Sequence, residues 1–295
     1  MGGGYREFRF KSHDGLDLHS RLYEGPQHAP VVLCLHGLTR NSRDFELLAP
    51  QLQSRYRIIV PDVRGRGLSA RDPNSDNYQA NIYIQDLLTL LDLLAISRVA
   101  LIGTSMGGIL GMMLGYLKPE RLVCLVLNDV GPEFDPKGIE RIKRYAGRLP
   151  APKGWDEAVA QTRSVFGDAW RKIPEARWLE LARRAYREDE AGRVVSDADP
   201  TIGEVMRRAP PGPADLWPLW SALKKIPILS LRGAHSDILS AATVERMQRE
   251  KPDLEVLSVA DRGHVPLLDE PEVLLAIDNF LARTFAIEPI PLQET

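Results

Sequence analysis

Two kinds of hydrophobic spacing alternate along this chain. Val31-Val32-Leu33-Cys34-Leu35, Ile58-Ile59-Val60, Val99-Ala100-Leu101-Ile102 and Val123-Cys124-Leu125-Val126-Leu127 are short unbroken apolar runs. Such runs mark strands covered on both faces, as in a parallel sheet. Between them, residues 45–53, 82–94 and 106–117 carry apolar side chains at three- and four-residue intervals, the spacing of a helix with one buried stripe. Upstream, residues 5–11 and 16–23 flank the turn signal His13-Asp14-Gly15 and predict an antiparallel hairpin. The alternation resumes near the end, with strands over 226–232 and 254–259 and helices over 241–249 and 272–285. Strand and helix alternating in this way define an α/β class.

The middle of the chain breaks the rhythm. Residues 131–223 contain no convincing buried strand, are rich in Arg and Glu, and are punctuated by Pro150, Pro152, Pro174, Pro200, Pro210, Pro211 and Pro213. They read as several short helices. The expected organisation is a core of residues 1–130 and 224–295 with a helical cap of residues 131–223 inserted after the sixth strand. All five tryptophans, Trp155, Trp170, Trp178, Trp217 and Trp220, fall in this insertion. Each is an anchor for a small helical layer or a wall of a pocket beneath it. The tail, 288–295, has no periodicity and is expected to fray.

Composition narrows the partners. With 295 residues and 44% hydrophobic content, a large core can be buried. The 38 basic and 40 acidic side chains leave no electrostatic footprint for nucleic acid or an anionic membrane. No apolar stretch reaches the roughly 20 residues of a membrane span, and the start of the chain lacks the apolar run of a secretory signal. A soluble, cytoplasmic protein acting on a small molecule is expected. Cys34 and Cys124 lie inside apolar runs and read as buried free thiols.

The chemistry is carried by residues far apart in sequence. Gly103-Thr104-Ser105-Met106-Gly107 follows an apolar strand and opens a helix, so Ser105 would sit at a sharp strand-to-helix turn with its hydroxyl exposed above the sheet edge. A serine needs a base. His264, in Gly263-His264, follows the last strand at the same edge, where open α/β sheets bind ligands. Asp237, just past the preceding strand, is expected to orient that imidazole, with Asp129, directly after the sixth strand, as the alternative acid and Asp261 behind it. The backbone N–H groups of Met106 and of Leu38, in His36-Gly37-Leu38, are positioned to receive an oxyanion. His36 reads as a brace for its loop. Asp62-x-Arg64-Gly65-x-Gly67-x-Ser69 lacks the ending of a phosphate loop and reads as a structural loop held by Asp62 and Arg64. His13, His19, His28 and His235 read as surface residues.

Together, His36-Gly37, Asp62-x-Arg64-Gly65-x-Gly67-x-Ser69, Gly103-x-Ser105-Met106-Gly107-Gly108, Gly233-x-x-x-Asp237 and Gly263-His264 resemble the α/β-hydrolase superfamily over about residues 5 to 285. That resemblance implies an eight-stranded, mostly parallel sheet with helices on both faces, and acyl-enzyme hydrolysis with no cofactor or metal. Aspartate at the nucleophile position would imply epoxide or halide chemistry, but Ser105 stands there. Hydrolysis of small carboxylic esters or lactones is the leading expectation. Carbon–carbon bond hydrolysis, with Arg171 or Arg177 holding a carboxylate, is the second; Thr104, where such relatives usually carry asparagine, disfavours it. A ligand receptor on the same fold is the third, and it gives no reason for nucleophile, base and acid all to be present.

Overall fold

The computed structural model describes residues 4–208 and 215–287. The expectations for the tail and for Pro210, Pro211 and Pro213 lie outside the described residues. In chain order the first half runs β1 (Arg6–Lys11), β2 (Asp17–Tyr23), β3 (Val31–Leu35), α1 (Leu48–Leu52), β4 (Arg57–Asp62), α2 (Ala80–Leu93), β5 (Val99–Thr104), α3 (Met106–Leu117) and β6 (Leu122–Asn128). Then come α4 (Pro136–Tyr145), α5 (Trp155–Phe166), α6 (Trp178–Arg183), β7 (Tyr186–Glu188), β8 (Val194–Ser196), α7 (Thr201–Arg208) and α8 (Trp217–Ala222). The chain closes with β9 (Ile228–Gly233), α9 (Ala241–Glu250), β10 (Glu255–Val259) and α10 (Pro271–Phe285).

Eight strands form one sheet in the order β1-β2-β4-β3-β5-β6-β9-β10. β2 is antiparallel to both β1 and β4, and the remaining pairs are parallel. Because side chains alternate across a strand, each apolar run serves two cores at once. Leu33, Leu35, Leu101, Leu125 and Leu127 join one core with α2 and α3, whereas Val32, Cys34, Ala100, Ile102, Cys124 and Val126 join the other with α1 and α10. A residue burying its side chain there contributes about 1.5–3 kcal/mol. Both cysteines are buried and free. Parallel strands aligned in this way deliver the ends of β3, β5, β6, β9 and β10 to one edge.

Two expectations about local structure need correcting. The helix expected over 45–53 is a short 3₁₀ turn (Ser42–Phe45) followed by α1; Asn41 caps the turn by accepting from the Arg43 N–H at 2.9 Å. Residues 131–223 also contain a hairpin, β7 paired with β8. Three-residue strands are too short to show alternation. Its turn is held by Asp189 N–H donating to the Arg193 carbonyl at 2.9 Å and by Gly192 at φ 73°, a left-handed backbone that glycine adopts without a Cβ clash.

Candidate active site

The turn between β5 and α3 brings Ser105 to φ 51°, ψ −112°, a backbone conformation rare for a residue with a side chain. Two glycines make it possible. A Cβ on Gly103 would meet the Gly107 backbone, and a Cβ on Gly107 would meet the Leu35 carbonyl, so strand, turn and helix approach more closely than any side chain allows. The Ser105 N–H is anchored by the Asn128 carbonyl at 3.0 Å. Backbone register thus aims the hydroxyl out of the sheet edge.

There it meets His264, whose Nε2 lies 3.0 Å from Ser105 Oγ. His264 Nδ1 lies 2.8 Å from Asp129 Oδ2. With Nδ1–H donating to the carboxylate, Nε2 is left with a lone pair facing the hydroxyl. Asp129, fully buried at φ 55°, also accepts from the Gly233 N–H at 2.8 Å and the Ser236 hydroxyl at 2.5 Å.

Asp237, expected to orient the imidazole, is placed elsewhere. Asp237 does follow β9 at the same edge, but both its oxygens are held by Arg141 of α4, Nε to Oδ2 at 2.5 Å and Nη2 to Oδ1 at 2.9 Å. Helix α4 packs so closely on this loop that a Cβ on Gly138 would meet the Asp237 carbonyl. Burial pushes the Asp237 carboxyl up, yet the Arg141 hydrogen bond and charge outweigh it and hold it below the usual carboxylate range. Asp261 pairs instead with Lys172 at 2.9 Å.

The loop after β3 completes the edge. Gly37 and Leu38 line the same cavity as Ser105, and Met106 begins α3, where the first N–H groups have no partner within the helix. Buried His36 accepts from the Val63 N–H on Nε2 at 3.0 Å and donates from Nδ1 to the Gly37 carbonyl at 2.8 Å. Burial pushes its imidazole down to about 4, so it stays neutral and braces the loop. Arg66, also fully buried, donates to the Leu38 carbonyl at 2.8 Å and reaches Met106 Sδ at 3.6 Å. Asp62 accepts from the Ser42 and Leu68 N–H groups at 2.7 and 3.0 Å. His19, expected at the surface, is fully buried with Nδ1 2.8 Å from Asp62 Oδ2. β2 lies inside the sheet, and Asp62 at the end of neighbouring β4 needs a buried donor. His13, His28 and His235 are exposed.

Of the five tryptophans, Trp170 lines the Ser105 cavity; it stacks on Phe166 with ring centroids 4.3 Å apart and donates Nε1–H to the Val265 carbonyl at 2.8 Å. Trp178 packs behind it at 6.2 Å, and Trp220 is buried in the core against α3. Trp155 bonds Glu188 at 2.7 Å, and Trp217 lies 3.6 Å under the Arg246 guanidinium. Arg177 is engaged by Asp269, whereas Arg171 lines an outer cleft of about 480 Å³ with Arg141, Arg144, His235 and His264. Among the described residues, His13, Asp14 and Asp86 have metal-ligand spacing, but the Arg64 guanidinium already sits there, 2.9 Å from Asp14 and 2.6 Å from Asp86.

Sequence reasoning missed Ser236, Arg66, Asn128 and Arg40. Asn128 donates to Thr104 Oγ1 at 3.1 Å and to the Pro266 carbonyl at 3.0 Å, joining β6 to β5 and to the His264 loop. A polar residue ending an otherwise apolar strand was the available signal.

Sheet order, the Ser105 turn and the apposed imidazole define an α/β hydrolase. Residues 32–277 match the Alpha/beta hydrolase family, and the chain belongs to it. It is 33% identical to a 3-hydroxybutyrate-oligomer hydrolase from Cupriavidus necator, over 89% of this chain and 93% of that one. It is 28% identical to a 2-(acetamidomethylene)succinate hydrolase from Mesorhizobium japonicum, over 85% and 88%. Among solved structures, an alpha/beta hydrolase from Novosphingobium aromaticivorans superposes with a TM-score of 0.90 at 42% identity, over 96% of this chain and 99% of that one.

Proposed function

We propose that this hydrolase cleaves small carboxylic esters, including lactones, through an acyl-enzyme on Ser105. One observation carries the reading: the continuous hydrogen-bonded chain from Ser105 Oγ through His264 to Asp129, at 3.0 and 2.8 Å. In this mechanism Oγ attacks the ester carbonyl carbon while its proton passes to His264 Nε2. Asp129 holds the ring in the Nδ1–H tautomer and stabilises the imidazolium. The carbonyl oxygen becomes an oxyanion received by the Leu38 and Met106 N–H groups, an interaction worth about 3–4 kcal/mol per donor in comparable sites. Collapse breaks the bond to the alcohol, which leaves with the proton from Nε2. Water then repeats the sequence on the acyl-enzyme, releasing the acid and restoring Ser105.

Residues 131–223 act as the cap in this reading, and Trp170 as its contribution to the substrate wall. The similarity to an enzyme named for 3-hydroxybutyrate oligomers favours short hydroxy-acid esters among the substrates. The test is reaction of Ser105 with a fluorophosphonate together with turnover of p-nitrophenyl esters and a lactone panel. Neither labelling nor turnover with any of them would sink the proposal.

A further inference from the structure

The cavity against Ser105 is walled largely by apolar groups, among them Ile142, Phe166, Trp170, Pro266 and Leu267. Two guanidinium groups interrupt that wall, Arg40 from the loop after β3 and Arg184 from the end of α6. Both are almost wholly buried, at 8% and 3% exposure. Asp44 engages Arg40 through Nε at 3.0 Å and Nη2 at 2.5 Å, and Glu180 engages Arg184 through Nη2 at 2.5 Å. That leaves Arg40 Nη1 and Arg184 Nε buried with no acceptor. The Asn41 side chain, next to Arg40, donates to the Arg184 carbonyl at 2.8 Å, so the two segments are tied together.

A buried guanidinium N–H without an acceptor is costly, and a ligand oxygen that supplies one binds the more tightly for it. Asp44 and Glu180 each engage one of these guanidinium groups without reaching the two free N–H positions, and because arginine does not give up its proton, the hydrogen bonds those positions offer are charge-assisted and strongest to an ionised acceptor. An anionic oxygen is thus favoured over a neutral one. The cavity is small, about 50 Å³, on a scale where one water takes about 10–15 Å³. It suits a chain of a few heavy atoms. The leaving group has a separate way out, since it takes its proton from His264, which also lines the outer cleft.

We propose that Arg40 and Arg184 receive a carboxylate at the far end of the acyl group, making esters of short dicarboxylic acids the preferred substrates. This rests on the reading of Ser105 as the nucleophile. Arg40 and Arg184 are specificity residues here, not catalytic ones.

The test compares hydrolysis of monomethyl glutarate and methyl pentanoate by the full-length protein in a pH-stat. The expected result is a kcat/KM at least tenfold higher for the acidic ester, with Arg40→Met and Arg184→Met each removing most of that preference. Because Arg40→Met strands Asp44 and risks misfolding, a wild-type measurement accompanies it: glutarate should slow fluorophosphonate labelling of Ser105 at least tenfold more effectively than the uncharged pentanamide. Equal turnover of the two esters, or equal protection by glutarate and pentanamide, overturns the carboxylate assignment and leaves the ester reading standing. No turnover of either ester and no labelling of Ser105 overturns both.

Discussion

Asp129 and Asp237 occupy equivalent places in the fold, each in the loop that leaves a parallel strand at the same edge, yet they have opposite surroundings. Asp129 is fully buried and accepts from His264, Ser236 and Gly233. Asp237, with its side chain 36% exposed, is held by a bidentate arginine from a helix outside the sheet. What separates them is the element packed on each loop. The β9 loop turns its Ser236 hydroxyl inward to Asp129 and leaves the next residue to face α4. A carboxylate at the right edge is thus only a candidate, and its neighbours decide whether it serves the imidazole.

The comparison can be broken most directly at its shared target. Ser105→Ala is expected to lower ester turnover by roughly 10⁵-fold or more, with far-UV circular dichroism unchanged; retained turnover would move the chemistry elsewhere. Asp129→Asn should cost about 10⁴-fold in kcat, because an amide NH₂ facing Nδ1–H favours the wrong tautomer, whereas Asp237→Asn should cost less than about tenfold. A larger loss from Asp237→Asn would reverse the assignment of the acid.

Ser236→Ala sharpens the contrast by touching only the Asp129 side. It removes one donor to the carboxylate and strands the Ile238 and Leu239 N–H groups that the hydroxyl accepts, at 3.1 and 3.0 Å. About 1–3 kcal/mol of stability should be lost, read by urea denaturation, with a milder kcat loss than Asp129→Asn.

Titration separates activity from stability. In the proposed mechanism activity requires the unprotonated imidazole of His264, the form that can accept from Ser105. Stability has its own contribution from His36, whose imidazole burial pushes down to about 4 in the fold, against an ordinary value of about 6.5. Between those values the unfolded chain binds a proton that the folded chain does not, so stability is retained above about 6.5 and declines as pH falls towards 4. Urea midpoints at pH 7 and pH 5 measure this, and His36→Asn should flatten the difference. The smallest effect is expected from Arg141→Met: a partly exposed ion pair contributes no more than about 1 kcal/mol, and a greater loss would mean that α4 needs Asp237 to dock.

Much of this was legible in the chain. The unbroken apolar runs place β3 to β6 within a residue or two because nearly every side chain in them is buried on one face or the other, and Gly103-x-Ser105-x-Gly107 announces its turn because the chain cannot make it otherwise. His264 was legible as a histidine after the last strand. Choosing between Asp129 and Asp237 was not, since the choice turns on Arg141, 96 positions from Asp237, and sequence order says nothing about which helix packs on which loop. His19 failed for a related reason: a histidine beside a turn looks solvated until the strand carrying it is known to have neighbours on both sides. β7 and β8 are too short for any periodicity to register.

The segment around Trp170 has a bearing on how such enzymes can be re-engineered. Gly263 N–H donates to the Ala169 carbonyl at 2.6 Å, Trp170 bridges to Arg262, and Arg262 donates to the Arg171 carbonyl at 3.0 Å. The loop presenting the imidazole is therefore clasped by residues 169–171 as well as by the sheet. Exchanging all of residues 131–223 between relatives would remove part of the mounting of His264. A graft that keeps residues 168–171 and replaces only what surrounds them avoids that loss.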